Sequence, residues 1–446
     1  MIKRSLVILF FAIVFNTANA ESLLPNKVKN MSLGSSTCAS SLCHGSISTW
    51  KDAVVLQNEY TTWMKLDSHS KAYEVLLNKD SIKIAKNLGL KEPAHKADVC
   101  LDCHAHNVPL KLRGEKFDIS EGVSCEGCHG GAEHWISSHT VSTATHSDNV
   151  KKGLYPTDQP LKQARLCLSC HFGDENRFVT HRIMGAGHPR MSFELNTFAV
   201  IEPAHYVRDA DYVDRKGYIT PTLLWMVGQA YSVQSLMKTL SDPNLNRDGF
   251  FPELVLFDCH SCHHPMSDKK WEPLKANYIG PGVIRINESS VLMLQVILDV
   301  VWPEEGKKFS RSFHELNRLM HSNSEKRVDF SLIEDKAKLI ALQIDGVMLK
   351  MENYLVNQLS KKKILVKLID DGILYRDYAT AEQAFMAIVN LSNDLMLDGS
   401  IRVSEELRDS VSLIRFTVKD DENYNSDKFS ESLAKFRAVL LAEGDF

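Results

Sequence analysis

All ten cysteines of this 446-residue chain fall in five pairs, and a histidine closes each pair directly. The pairs are Cys38-Ala-Ser-Ser-Leu-Cys43-His44, Cys100-Leu-Asp-Cys103-His104, Cys125-Glu-Gly-Cys128-His129, Cys167-Leu-Ser-Cys170-His171 and Cys259-His-Ser-Cys262-His263. Two thiols followed at once by an imidazole suit covalent attachment of haem: the thiols add to the vinyl groups and the histidine binds iron from one face. The pattern predicts five haem c groups, with the ten cysteines as anchors and His44, His104, His129, His171 and His263 as proximal iron ligands. Tetrahedral zinc needs no histidine after each pair, and iron–sulfur cysteine runs are not closed that way. Local CxxC disulfides are redox-active motifs and seldom structural staples. The first motif departs from the other four in its wider spacing.

The chemistry then turns on what occupies each second axial position. Two imidazoles make an iron suited to electron transfer, whereas an open position admits a substrate. Of the thirteen remaining histidines, context favours His69, His139, His181 and His188 as distal ligands. His69 follows a stretch containing Trp50 and Trp63, and His139 lies shortly after the third motif. His181 and His188 flank a glycine-containing turn where backbone can approach a porphyrin closely. His134 and His146 compete with His139, and His205 is a weaker candidate. His264 directly follows a proximal histidine. His95, His106, His260, His314 and His321 read as structural or surface residues. Four distal candidates for five irons leave one iron unassigned.

Those sites must be carried by an exported chain. Lys3 and Arg4, the apolar run Leu6 to Phe15 and Ala18-Asn19-Ala20 have the form of a signal peptide over residues 1–20, cleaved after Ala20. A periplasmic protein is expected, with no transmembrane anchor beyond that peptide. The run Val291 to Trp302 is apolar but short and contains Asp299, which predicts a buried helix. Net charge is −4, and cleavage removes two basic residues and no acid. With no basic stripe visible, nucleic acid is not an expected partner.

The elements that hold the motifs divide by composition. All cysteines and sixteen of the eighteen histidines precede Gly280-Pro281-Gly282. This predicts a loop-rich haem domain over 21–282 and a helical domain over 283–446, mainly α throughout. A helix is expected over Thr222 to Leu240. Ser331-Leu-Ile-Glu334 and Thr380-Ala-Glu-Gln383 read as capping boxes that open two further helices. The first carries Ile333, Ala337, Ile340, Ile344, Val347, Met351 and Leu355 on one face. A short last helix carries Phe429, Leu433, Phe436 and Leu440, and the whole makes a C-terminal α-helical bundle. Met348, Met351 and Met396 read as core filler rather than iron ligands.

The chain resembles the cytochrome c-552/c-554-like group of multihaem cytochromes, related by haem packing to hydroxylamine oxidoreductase. The likeness rests on Cys38 to Trp50, Trp63-Met-Lys-Leu-Asp-Ser-His69-Ser-Lys-Ala72 and Gly122-Val-Ser-Cys125-Glu-Gly-Cys128-His129-Gly130. Ala186-Gly-His188-Pro-Arg-Met-Ser-Phe193-Glu194-Leu195 and Phe257 to Pro265 add to it, so that it covers about residues 30 to 275. It implies mainly bis-histidine haems in near-contact pairs and electron transfer in the periplasm, with one haem able to be five-coordinate. The chain differs in having five motifs rather than four. Likeness to the pentahaem ammonia-forming nitrite reductases is weaker, because their catalytic motif typically ends in lysine.

The expected function is electron transfer through five haems between exported or membrane-bound redox proteins. The alternative is a multihaem oxidoreductase in which one open haem acts on a small nitrogen or sulfur compound. In that reading Arg182, Arg190 and His188 hold an anion; otherwise the arginines pair with haem propionates.

Overall fold

The computed structural model describes residues 23–51, 55–249, 251–263, 285–320 and 329–443. The expected signal peptide, the Gly280-Pro281-Gly282 boundary, His264 and His321 lie outside the described residues. The fold is mainly α, as expected. Among the described residues, strand structure amounts to a two-stranded antiparallel pair (Arg247 with Pro252, Asp248 with Phe251) and the single bridges Ser32–Arg113 and Phe257–Ile286.

Short helices carry the N-terminal half. They include α1 (Glu59–Leu66), α2 (Lys79–Leu88), α3 (Asp98–His104), α4 (Cys125–His129), α5 (Pro160–His171), α6 (His181–Gly185) and α7 (Leu195–Ile201), beside further short helical segments at Ala72–Val75, His146–Lys151 and Ala210–Lys216. Long helices follow: α8 (Pro221–Ser241), α9 (Ser289–Val301), α10 (Pro303–Met320), α11 (Phe330–Met351), α12 (Gln358–Asp370), α13 (Tyr378–Leu397), α14 (Glu405–Thr417) and α15 (Ser426–Glu443).

Helix α8 is the axis of the helical half. Thr220 caps it by accepting from the Leu223 N–H, Pro221 takes its first position, and nearly every side chain from Thr222 to Leu240 is buried. A helix apolar on all sides must be surrounded, and α5, α7, α9, α11 and α13 surround it. One continuous apolar core therefore runs from Ala164 and Leu168 on α5 to Leu440 on α15. Fully burying a large apolar side chain is worth about 1.5–3 kcal/mol. Phe429, Leu433, Phe436 and Leu440 are all fully buried, which holds the last helix in place. That helix spans 18 residues, so it is not short.

The two expected capping boxes are displaced. Asp329 caps α11 by accepting from the Ser331 N–H, and Glu334 instead bonds Asn246 and Arg247. Asp377 caps α13 by accepting from the Thr380 N–H, and Gln383 instead bonds Gln229 and the Phe193 carbonyl. An aspartate side chain at the cap satisfies a free helix N–H, and the acid or amide expected to reach back is used for tertiary contacts. Leu355 also leaves the expected face: α11 ends at Met351, and Leu355 is exposed.

A buried ion pair ties three helices together. Lys361 on α12 contacts Asp394 at 2.8 Å and Asp398 at 3.0 Å, and Asp394 also accepts from the Thr222 hydroxyl on α8. The stretch from Arg190 to Leu195 is clamped onto α13. Arg190 and Ser192 reach Glu382 at 3.0 and 2.6 Å, and Asn390 donates to Glu194 at 2.6 Å.

The segment from 23 to about 160 forms only a small apolar cluster of its own: Leu76, Ala85, Ala94, Leu101 and Ala105. Side chains alone give this segment little core, which matters for what it binds.

Candidate functional site

Three motifs end helices. His104, His129 and His171 are the last residues of α3, α4 and α5. Cysteines at i and i+3 on a helical turn share a face, and the histidine follows at the helix end. The fifth motif lies on a 3₁₀ turn, Cys259–Ser261, closed by a bond from the His263 N–H to the Cys259 carbonyl at 2.8 Å. The widened first motif closes on the equivalent bond, from the His44 N–H to the Cys38 carbonyl at 3.2 Å. Its two extra residues are taken up within the loop while first cysteine and histidine keep the same relation.

Every motif histidine faces one histidine from elsewhere in the chain. Ring centroids are 6.2 Å apart for His44 and His139, 6.4 Å for His104 and His188, and 6.2 Å for His129 and His205. They are 5.9 Å apart for His171 and His69 and 6.3 Å for His263 and His181. Rings this far apart are too distant for direct stacking at van der Waals contact. Metal–imidazole bonds of about 2 Å on opposite sides of one ion put two ring centres about 6 Å apart. The spacing thus fits one iron between each pair. We number the pairs I to V by motif.

The candidate distal residues His69, His139, His181 and His188 all occupy such pairs. His205, weaker on sequence grounds, faces His129. The other described histidines are engaged elsewhere or exposed. His146 contacts Asp158 at 3.0 Å, His134 approaches Glu133 at 3.6 Å, and buried His106 bonds the Ser32 hydroxyl at 2.8 Å. His95 and His260 lie beside Tyr73 and Tyr378, and His314 is exposed on α10.

Five of the paired rings are held through Nδ1, which leaves Nε2 available to a metal. His44 Nδ1 bonds Glu59 Oε2 at 3.0 Å, and His69 Nδ1 bonds Asp67 Oδ1 at 2.9 Å. The partners of the others are backbone carbonyls: Ala72 for His104 at 3.0 Å, Ile136 for His139 at 2.6 Å and Pro189 for His188 at 2.8 Å.

Electrostatics separates some of the rings. Burial lowers the pKa of His104, takes His171 to about 4 and takes His129 to about 3. These rings are neutral at pH 7, the form that binds a metal. Hydrogen bonds donated to Glu59 and Asp67 raise His44 and His69 instead. Ligand atoms of Asp67, His69 and Glu202 lie within 4.8 Å of one another, a carboxylate-rich setting for the distal ring of pair IV.

The motifs also neighbour one another. The Cys38 and Cys125 thiols are close enough to couple, which pushes the Cys38 thiol up and the Cys125 thiol down. Cys103 and Cys170 couple in the same way, with Cys103 pushed up and Cys170 down. Burial raises Cys128 strongly, and the Cys167 and Cys170 thiols add to that rise. Helix α6 begins at His181 of pair V and is followed closely by His188 of pair II. The order of adjacency is therefore I–III–IV–II–V. Aromatic rings line the pairs: Phe193 stacks on His171 at 4.4 Å, and Trp135 meets His139 edge-on at 5.4 Å.

Gly122 brings two of these sites together. It has φ +72°, and a Cβ there would lie 2.5 Å from the His69 carbonyl oxygen. Only glycine allows this backbone approach, and the next N–H, on Val123, donates to that same carbonyl at 3.0 Å. The arginines considered for anion binding are committed: Arg190 to Glu382 and to the Tyr378 ring at 5.1 Å, and Arg182 to the Leu88 carbonyl at 3.3 Å.

Paired cysteines beside opposed imidazoles fit the attachment and ligation chemistry of a c-type cytochrome. Residues 37–130, which contain the first three motifs, match the family model described as cytochrome c554 and c-prime. That part of the chain is similar to cytochrome c554-like proteins, a likeness that supports a c-type cytochrome working in electron transfer. No curated protein and no solved structure matches the chain. No described helix is long and apolar enough to cross a membrane.

Proposed function

We propose that the chain carries five haem c groups and passes single electrons along the order I–III–IV–II–V. The observation that carries this reading is the one-to-one pairing of motif histidines with His139, His188, His205, His69 and His181. Each bound haem supplies a one-electron iron couple in which bis-imidazole ligation favours transfer over substrate binding. The protein anchors the groups by ten thiols, orients the rings through Nδ1 and walls them with aromatic and aliphatic side chains.

On this reading the haem-bearing part spans 21–282 and the helical part 283–446, and α8, which belongs to the first, is the buried axis on which helices of both parts pack. Residues 1–20 act as a signal peptide, so the mature chain begins at Glu21 in the periplasm and exchanges electrons with other exported or membrane-bound redox proteins.

Spectra and mass of the purified holoprotein test this. The mass should exceed that of the processed chain by five haem equivalents, and all the iron should be low-spin. Neither carbon monoxide nor nitrite should perturb the reduced spectrum. A high-spin component that shifts with ligand would instead support an oxidoreductase with one open site.

A further inference from the structure

Paired histidines are not all backed by the same chemistry. Both rings of pair II give their Nδ1 proton to neutral carbonyls, those of Ala72 and Pro189. Pairs I and IV each have one ring whose Nδ1 faces a carboxylate. Glu59 is poised on the first turn of α1 with its side chain 16% exposed, and Asp67 is 7% exposed. Both acids are held by more than the imidazole. The Gln57 N–H donates to Glu59 at 3.1 Å, and the His69 N–H donates to Asp67 at 2.9 Å. Glu202 places a second carboxylate beside the pair IV ring.

A carboxylate on the Nδ1–H draws that proton toward itself, which makes Nε2 a stronger donor. It also adds a negative charge close to the metal, where low polarity preserves its influence. Oxidised iron carries one more positive charge than reduced iron, so both effects favour the oxidised form. A neutral carbonyl supplies much less of either.

We propose that Glu59 and Asp67 are potential-setting residues, which hold the sites at pairs I and IV below the site at pair II. The proposal rests on the five-haem reading above. Reduction adds one electron to iron from a one-electron redox partner; no bond breaks, and the Nδ1 proton stays between imidazole and carboxylate. An electron entering at pair I then settles toward the II–V end, which gives the wire a direction.

The test is a potentiometric titration of the holoprotein, followed by visible absorbance and electron paramagnetic resonance, for the parent protein, Glu59→Gln and Asp67→Asn. Haem number by mass and spin state are recorded for each. In each variant one midpoint should rise, a different one in each, while the others stay in place. The two that move should be lower in the parent than the midpoint assigned to pair II by a His188→Met variant. Unmoved midpoints with full haem loading and unchanged low-spin signals would overturn the proposal, as would movement of midpoints lying above that of pair II. If Asp67→Asn fails to fold because the turn after Asp67 loses its cap, Glu59→Gln decides alone. A parent protein with fewer than five haems, or with an open iron, would instead refute the five-haem reading, so the two failures are distinguishable.

Discussion

His129 and His205 face each other edge to face, with ring planes at 90° and centroids 6.2 Å apart. His129 ends the third motif, whereas His205 lies between α7 and α8 with no motif around it. If one iron joins them, His205→Ala opens that position alone. The expected result is unchanged haem mass, a new high-spin signal and carbon monoxide binding by about one haem in five. A fully low-spin variant that ignores carbon monoxide would remove His205 from the ligand set.

Gly122→Ala should destabilise the haem-bearing half. A left-handed φ of +72° and a Cβ position 2.5 Å from the His69 carbonyl oxygen leave no room for the methyl group. The cost should be about 1–3 kcal/mol, read as a lower denaturation midpoint with unchanged slope. Because the displaced carbonyl belongs to His69, the spectrum of that site should change as well.

Lys361→Met should weaken the helical half by about 3–5 kcal/mol, since it leaves Asp394 as an uncompensated buried charge. Asp394 is 3% exposed and Lys361 6%. Adding Asp394→Asn should recover much of that loss, because the amide can still accept from Thr222. Denaturant unfolding followed by helical circular dichroism of the single and double variants measures both effects.

Glu288 gives a pH dependence with a definite sign. Burial pushes its carboxyl from 4.5 to about 7, against the opposing pull of the Asn317 hydrogen bond and Arg285; Asp377 and Asp258 add to the rise. The folded state therefore keeps a proton that the unfolded chain releases, and stability falls as pH rises from about 4.5 to 7. Glu288→Gln copies the protonated form, so it should flatten that part of the stability curve by about 1–3 kcal/mol. An unchanged slope between pH 5 and 7 would count against this.

The helical half was legible from periodicity, since Leu223, Met226, Ala230, Val233 and Met237 repeat at the spacing of a helix. Sequence patterning missed that α8 is buried on every side and that α5 and α7 share its core. Helix starts were misplaced at Ser331 and Thr380 because Asp329 and Asp377 cap these helices with no acid or amide three residues on to mark them. Only the tertiary contacts of Glu334 and Gln383 decide between the frames. Likewise Asp67 stands in plain view two residues before His69, but nothing local marks Glu59 as the partner of His44.

Attachment chemistry is written locally, because two thiols and the first imidazole must reach one group from one turn of chain. Composition and adjacency therefore suffice to propose the motifs and their histidines, and the c-type class agrees with the family match over residues 37–130. The opposing imidazoles, their Nδ1 partners and the order of the sites come from segments far apart in the chain. Those relations depend on how the backbone passes at Gly122 and how the stretch after α6 clamps onto α13. Only the folded structure could decide them, since a second axial ligand is chosen by position in space and not by neighbours in sequence.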